Sequence, residues 1–160
     1  MTARTIDGKQ TAQTIRAEVR EAARSLVTRG VKPALAVVLV GEDPASQVYV
    51  KNKDAAARDA GFDVRTIRLG ADTPQDRLEA EVAALNADRS VHGILVQLPL
   101  PRGLDEGRIV RLLDPAKDVD GLHPHNVAAL VLGRPGLRPC TPSGCIELCD
   151  RHGIELAGRD

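Results

Sequence analysis

The chain alternates between segments of helical periodicity and short apolar runs. Apolar residues recur at a helical spacing from Ala12 to Val27, and the pattern stops at Gly30, which suits the left-handed position after a helix. Residues 34–40 are apolar throughout, which is typical of a parallel strand covered by helices on both faces. We therefore predict a helix followed by a buried strand that ends at Gly41.

The same alternation continues towards the C-terminus. Asp43 provides an N-cap and Pro44 suits the first position of a helix that we predict to run to Ala60. Further elements are predicted in the same order: strands at 62–69 and 92–97, and helices after 73–74, around 109–113, from about 126 to 132, and from 141 to 153. This pattern favours a three-layer α/β/α fold with a mostly parallel sheet, in which ligands bind beyond the carboxyl ends of the strands.

Composition narrows the class of protein. A chain of 160 residues can bury one core without metal or disulfide support. Lys plus Arg and Asp plus Glu each total 22, and no long basic run occurs, so we expect no nucleic-acid partner. No apolar stretch is long enough to span a membrane and the N-terminus lacks an apolar signal core, so we expect no membrane association and a cytoplasmic location.

The cysteines do not predict a disulfide framework or a metal site. Cys140, Cys145 and Cys149 are odd in number and clustered, which favours free thiols. With His123 and His125 they invite a zinc hypothesis, but the Cys-x4-Cys-x3-Cys spacing lacks the Cys-x2-Cys pairs of closed zinc sites. We expect no metal.

Four polar or aromatic side chains could form a catalytic site. Tyr49 is the single tyrosine of the chain and lies four residues before Lys53, on one helical face. Gln97 ends the third predicted strand, and Asp120 follows in a loop. Spacing alone also allows structural roles: a half-buried ring beside a snorkelling lysine, a solvated strand end, and a loop or helix cap for which Asp118 is equally suited.

Four local motifs, in one continuous order, carry a family resemblance. They are Val40-Gly41 through Ala45-Ser46 with Tyr49 and Lys53, Gly-Ile-Leu-Val-Gln-Leu-Pro-Leu-Pro at 93–101, Lys-Asp-Val-Asp-Gly at 117–121, and Pro-Cys-Thr-Pro-Ser-Gly at 139–144. Together they resemble the bifunctional methylenetetrahydrofolate dehydrogenase/cyclohydrolases. The resemblance covers nearly the whole chain.

The resemblance implies a domain organisation and an activity. Residues 1–150 would be the catalytic tetrahydrofolate-binding domain, and 151–160 would begin the connection to a C-terminal NADP-binding Rossmann domain that is absent from this chain. The family oxidises 5,10-methylene-tetrahydrofolate with NADP and hydrolyses the 5,10-methenyl product to 10-formyl-tetrahydrofolate, for purine, histidine and methionine biosynthesis. It forms homodimers and needs no metal. We expect a folate partner but no NADP site in residues 1–160.

The resemblance also implies roles for individual residues. Lys53 would transfer protons during hydrolysis, and Gln97 would hydrogen-bond its amine. Tyr49 would pack against the pterin and aminobenzoyl rings, and Asp120, the second aspartate of its motif, would accept hydrogen bonds from the pterin 2-amino group and an adjacent ring nitrogen. Two further substrate contacts are implied at the strand exit, Leu98 and Pro99.

Two alternatives belong to other classes. Short-chain dehydrogenases also use Tyr-x-x-x-Lys, but they require a glycine-rich nucleotide turn before it, and Gly8, Gly30 and Gly41 are too widely spaced to form one. The second alternative is a folate-binding fragment that retains the pterin pocket but turns nothing over. This alternative stays open on sequence alone.

Overall fold

A parallel three-stranded sheet forms the centre of the computed structural model, which describes residues 5–158. The strands are β1 (Ala34–Val40), β2 (Asp63–Leu69) and β3 (Gly93–Val96), and the described helices are α1 (Gly8–Thr28), α2 (Pro44–Asp59), α3 (Gln75–Ala87), α4 (Glu106–Leu112), α5 (Pro124–Val131) and α6 (Cys140–Arg151). Within these residues no helix is both long and apolar enough to cross a bilayer.

The strand order β2-β1-β3 creates a switch point in the sheet. β1 pairs with β2 along its whole length and with β3 from Leu35, opposite Gly93, to Val38, opposite Val96. The chain therefore moves from β1 to one side and then crosses back to the other. In such sheets a crevice opens between the two strands where the order reverses, at their carboxyl ends. Here those strands are β1 and β3.

Alternate residues of β1 supply two separate cores. Ala36, Val38 and Val40 pack with Leu78 and Val82 of α3, in a cluster that also includes Ile109 of α4. Val37 and Leu39 face the other way and pack with Val50 of α2. Burying an aliphatic side chain of this size contributes about 1.5 to 3 kcal/mol relative to leaving it exposed. The predicted three-layer α/β/α fold is therefore confirmed, with α2 on one face and α3 and α4 on the other.

Capping side chains explain where the helices begin. The predicted N-cap Asp43 is confirmed, since its Oδ2 accepts the N–H of Ser46 at 2.7 Å. α4 begins at Glu106 rather than at 109, because the Asp105 side chain already caps the turn before. α5 begins at Pro124 rather than at 126, because the ring of His123 accepts an N–H of its first turn. Our predicted starts for α4 and α5 were therefore wrong by three and two residues.

Residues 117–119, which follow α4, pair with the outer edge of β3. Asp118 forms an isolated parallel bridge with Ile94, and the Ile94 N–H donates to the Lys117 carbonyl at 2.7 Å. This edge contact was not predicted, because residues 117–121 are too polar and too short to read as a strand. It places Asp120 beside the third strand.

Lys117 fixes that segment to the end of α3. Its Nζ donates to the carbonyl oxygens of Leu85, Asn86 and Asp88 at 3.1, 2.7 and 2.8 Å. The last carbonyls of a helix have no partner within the helix, and a cationic side chain there satisfies them and complements the helix dipole. The backbone of 117–121 is thus anchored at one end by charge and at its edge by the sheet.

Replacing Lys117 should therefore destabilise the fold measurably. We expect Lys117→Met to lower the free energy of unfolding by about 2 to 3 kcal/mol, because three carbonyls lose a charged donor. Urea denaturation followed by circular dichroism measures this. Lys32→Met, at an exposed loop position before β1, is the matched control and should change stability by less than about 0.5 kcal/mol. Equal effects of the two substitutions would contradict the anchoring role.

Candidate active site

The loops that follow β1 and β3 meet at the switch point. Gly41 ends β1 with φ +81°, and a Cβ at this position would lie 3.1 Å from Cγ of Pro101, in the loop after β3. A left-handed residue in close contact with another loop favours glycine. The turn into α2 and the exit of β3 are therefore packed together, and side chains from both reach one region.

Lys53 and Gln97 form a hydrogen-bonded pair at this junction. Lys53 Nζ donates to Gln97 Oε1 at 3.2 Å, and both side chains are half-buried. Gln97 Nε2 donates to the carbonyl oxygen of Leu98 at 2.7 Å, and the Gln97 backbone N–H donates to the carbonyl of Val38 at 2.9 Å. The amide is thus held at both its nitrogen and its backbone, so its oxygen stays directed at the lysine amine.

Asp120 lies in the same electrostatic environment as Lys53. Burial raises the pKa of the Asp120 carboxyl, the charge of Lys53 lowers it in part, and the charge of Asp118 raises it further, so that the pKa is raised on balance. The charges of Lys53 and Asp120 therefore act on one another in a partly desolvated environment. Asp118 itself is buried, and its side chain accepts hydrogen bonds from the His123 N–H and the Asn126 amide.

Tyr49 stands out from the surface. The residue is 62% exposed, so the ring is not the half-buried one that spacing alone also allowed. The ring lies one helical turn before Lys53 on α2. An exposed aromatic beside a polar cluster offers a face on which a flat ligand can stack.

The strand exit at 98–99 has a mixed character. The Leu98–Pro99 peptide bond is cis. Leu98 is half-buried and packs against the larger core cluster, whereas Pro99 is exposed. Of the two expected substrate contacts, Pro99 is therefore the more accessible. Leu98 anchors the loop by packing against the core.

Cys140 belongs to this environment, although the sequence did not single it out. Its Sγ lies 3.6 Å from the carbonyl oxygen of Val119, as a weak donor. Burial raises the pKa of the thiol, the carboxylates of Asp120 and Asp118 raise it further, and Lys53 opposes them. The spacing of the cysteines was used only to predict whether they form disulfides or bind zinc. The sequence feature that could have indicated a role for Cys140 was the motif at 139–144.

Gly121 explains how Cys140 comes so close. Its φ is +64°, and a Cβ there would lie 2.6 Å from the backbone carbonyl carbon of Arg138 and 2.8 Å from the nitrogen of Pro139. The loop that carries Asp120 is therefore in direct backbone contact with the residues that lead into α6. Only glycine allows this approach together with the left-handed conformation.

The histidines and the remaining cysteines lie elsewhere. The ring of His123 caps α5 and lies 3.3 Å from the carbonyl oxygen of Arg111, and Cys145 and Cys149 are further along α6. Within residues 5–158, no group of three or more His, Cys, Asp or Glu side chains is arranged to hold a metal ion.

A concave region lies between α2 and β2. It is lined by residues that include Val48, Lys51 and Arg68, but not by Tyr49 or Lys53. It has no group positioned like the Lys53 and Gln97 pair, so we place the candidate active site at the switch point.

Comparison with known proteins decides the family. Residues 6–120 match the model of the tetrahydrofolate dehydrogenase/cyclohydrolase catalytic domain. The chain belongs to this family. It is 59% identical over 158 residues to the bifunctional protein FolD of Acidiphilium cryptum, covering 99% of this chain and 56% of the relative. It is 52% identical over 155 residues to FolD of Oleidesulfovibrio alaskensis, covering 96% and 54%.

Solved structures of the tetrahydrofolate dehydrogenase/cyclohydrolase family have the same fold. FolD of Campylobacter jejuni superposes with a TM-score of 0.95 at 43% identity, covering 97% of this chain and 55% of that one. The dehydrogenase-cyclohydrolase of Trypanosoma brucei, solved in complex with NADP cofactor and inhibitor, gives a TM-score of 0.93 at 37% identity, covering 99% and 55%. The chain thus spans about half the length of the relatives it matches, and the resemblance seen in its motifs is confirmed.

Comparing Gly121→Ala with Gly133→Ala should separate the cost of a steric clash from the cost of a positive φ. We expect Gly133→Ala to cost about 1 to 2 kcal/mol, because its φ is also positive at +65° but nothing lies within 4 Å of a Cβ there. Gly121→Ala should cost about 1 to 3 kcal/mol more, because the added methyl meets the backbone at 138–139. Urea unfolding of both variants measures the difference. Equal losses would mean that the loop does not press against the entry to α6.

Proposed function

We propose that this chain provides the folate-binding and proton-transfer residues for the interconversion of one-carbon tetrahydrofolates, and in particular for hydrolysis of 5,10-methenyl-tetrahydrofolate to 10-formyl-tetrahydrofolate. The observation that carries the proposal is the hydrogen bond from Lys53 Nζ to Gln97 Oε1, together with the charge interaction between Lys53 and Asp120. It supports the assignment of a proton-transfer group, a group that orients it and a carboxylate that can hold a pterin.

In this proposal Asp120 and Tyr49 bind the substrate. A carboxylate has two acceptor oxygens, which suit the 2-amino group and the adjacent ring nitrogen of a pterin as a bidentate pair. The exposed ring of Tyr49 stacks on the pterin and aminobenzoyl rings, a contact worth about 0.5 to 1.5 kcal/mol beyond the area it buries. Leu98 and Pro99 bound the same space from the loop after β3.

Lys53 carries the protons of the hydrolytic step. Water adds to the cationic bridge carbon of the substrate, and the neutral lysine amine takes a proton from that water. The carbon–oxygen double bond then forms as the bond from carbon to N5 breaks, and Lys53 supplies the proton to N5. One further proton is released to solvent, which balances the charge of the cationic substrate. Proton transfer by a positioned side chain contributes about 10²- to 10⁴-fold.

Gln97 holds the amine of Lys53 in place. It accepts a hydrogen bond from the amine through an oxygen that is itself oriented by the bond from Gln97 Nε2 to the Leu98 carbonyl. Holding the amine at the reacting carbon lowers the entropic part of the barrier.

We expect no site for the pyrophosphate of NADP among the described residues, because none of the turns between a strand and the following helix is glycine-rich. Dinucleotides bind with the pyrophosphate at a glycine-rich helix N-terminus. Here the N-terminus of α2, the helix that follows the central strand, is already capped by Asp43, whose pKa is lowered by its hydrogen bond from the Ser46 N–H. The termini of α1 and α4 are likewise capped by Asp7 and Asp105. We therefore assign no hydride step to these residues.

Three expectations stay predictions for this chain. They are the cytoplasmic location, the homodimer implied by the family resemblance, and the boundary of the folate domain at residue 150. α6 runs to Arg151, which pairs with Glu18 of α1, so contacts within the first domain continue at least to that residue.

Removing the Lys53 amine tests the catalytic assignment. We expect Lys53→Met to slow hydrolysis of methenyl-tetrahydrofolate by about 10²-fold or more, because the proton carrier is lost. Loss of the substrate's absorbance measures the rate. Lys51→Met, two residues earlier on the exposed surface of α2, is the matched control and should hydrolyse at the wild-type rate.

Two outcomes would count against the proposal. Undiminished hydrolysis by Lys53→Met would remove Lys53 from the mechanism. No acceleration over buffer by the wild-type chain, together with tight folate binding, would favour the alternative of a folate-binding fragment without turnover.

A further inference from the structure

The carboxyl group of Asp118 is buried and has no part in the proposed hydrolysis. The residue is only 1% exposed to solvent. Burying an acidic group is unfavourable unless it is hydrogen-bonded. Asp118 Oδ2 accepts the backbone N–H of His123 at 2.8 Å and the Asn126 Nδ2 amide at 3.0 Å. These two hydrogen bonds join the Asp118 carboxylate to the residues that follow it, at the start of α5.

Those partners close a small loop around Asp120. The Asp118 carbonyl accepts the N–H of Gly121 at 3.1 Å, while its side chain accepts the N–H of His123, so two successive contacts run forward from the same residue. Asp120 lies within both closed turns. A residue enclosed in this way has little backbone freedom, and the direction of its side chain is set by the turn.

The start of the loop is tied to the sheet and to α5. The backbone of 117–119 bridges Ile94 of β3, and the Asp118 N–H donates to the carbonyl of Asp114 at 3.0 Å. Asn126 donates through the same Nδ2 to the carbonyl of Pro115 at 2.9 Å as well as to Asp118. Asp118 is therefore where the sheet edge, the loop and α5 are joined.

We propose that Asp118 is a positioning residue for Asp120: its carboxylate closes the 118–123 loop and thereby directs the Asp120 carboxyl towards Lys53 and the folate. The inference rests on the proposed function, because the position of Asp120 matters to the extent that it binds a pterin. Asp118 touches no substrate in this account, and acts through the loop.

The charge of Asp118 gives the proposal a second, separable consequence. Burial acts most on the pKa of the Asp120 carboxyl, followed by the charges of Lys53 from α2 and Asp118 from its own loop, and Asp120 in turn acts on the Cys140 thiol of α6. Asp120 binds the pterin as the carboxylate, so binding is present above its pKa and is lost as pH falls through it. Asp118 raises the pKa of Asp120, and its removal should move that loss to lower pH.

The test is binding of 5-formyl-tetrahydrofolate, a reduced folate with no methenyl bridge to hydrolyse, measured by calorimetry between about pH 4.5 and 8. Asp118→Ala removes both accepted hydrogen bonds, and we expect it to weaken binding at neutral pH by about tenfold or more. Asp118→Asn retains one oxygen acceptor, and we expect affinity within about threefold of wild type with the acid loss displaced to lower pH.

Matched controls separate positioning from stability. Asp105→Ala removes an aspartate that accepts a backbone N–H at the start of α4, so it carries a similar loss of a cap but should leave folate affinity unchanged. If Asp118→Ala does not fold, Asn126→Ala decides instead, because it removes one of the two donors to the Asp118 carboxylate and should weaken folate binding, whereas unchanged affinity in the folded variant would contradict the positioning role. Circular dichroism of each variant establishes the folded fraction.

The outcomes distinguish this inference from the function on which it rests. No folate binding by wild type, or wild-type binding by Asp120→Asn, would overturn the proposed function. Binding that Asp120→Asn abolishes, while folded Asp118→Ala retains wild-type affinity, would overturn the role of Asp118 alone, whatever the pH at which binding is lost.

Discussion

Parallel pairing of β1 with both β2 and β3 is the constraint on which the rest of the molecule depends. Parallel strands end at one edge of the sheet, and the crossover from β2 back to β3 opens that edge between β1 and β3. α2 starts at the end of β1, and Gln97 follows the end of β3. Lys53 and Gln97 can therefore meet although 44 residues separate them along the chain.

The polar segment 114–126 contributes little to the apolar core, so hydrogen bonds and charges must hold it in place. Residues 114–126 are fixed by Lys117 at the end of α3, by the bridge to Ile94 and by the buried Asp118. In the part of the chain that the structure describes, no buried side-chain nitrogen or oxygen lacks a hydrogen-bond partner. A fully satisfied polar network specifies one arrangement, because each unpaired member would be unfavourable. The residues that hold the 114–126 segment in the fold therefore also hold Asp120 at the candidate site.

Local sequence was sufficient where local physics decides the structure. The run at 34–40 could be bounded correctly because an apolar stretch between a helix end and a glycine has few other uses. Asp43 and Pro44 likewise defined the start of α2. The early starts of α4 and α5 were missed because side-chain caps at Asp105 and His123 extend these helices beyond their apolar residues.

The site needed tertiary structure in addition to the motifs. Spacing left Asp118 and Asp120 interchangeable and the family resemblance selected Asp120, whereas the fold adds that Asp118 is buried and that the charge of Lys53 acts on Asp120. Cys140 could not be placed by spacing, since its neighbourhood depends on the contact of Gly121 with Arg138. Long-range contacts of this kind leave no periodic signal in a sequence.

A crystal structure of the chain with a bound reduced folate would show directly which residues hold the substrate. We expect the pterin on the carboxylate of Asp120, an aromatic ring of the ligand on Tyr49, and the one-carbon position within about 4 Å of Lys53 Nζ, a distance near that of reacting groups. A folate bound instead in the concave region between α2 and β2, against Lys51 and Arg68, would contradict this expectation.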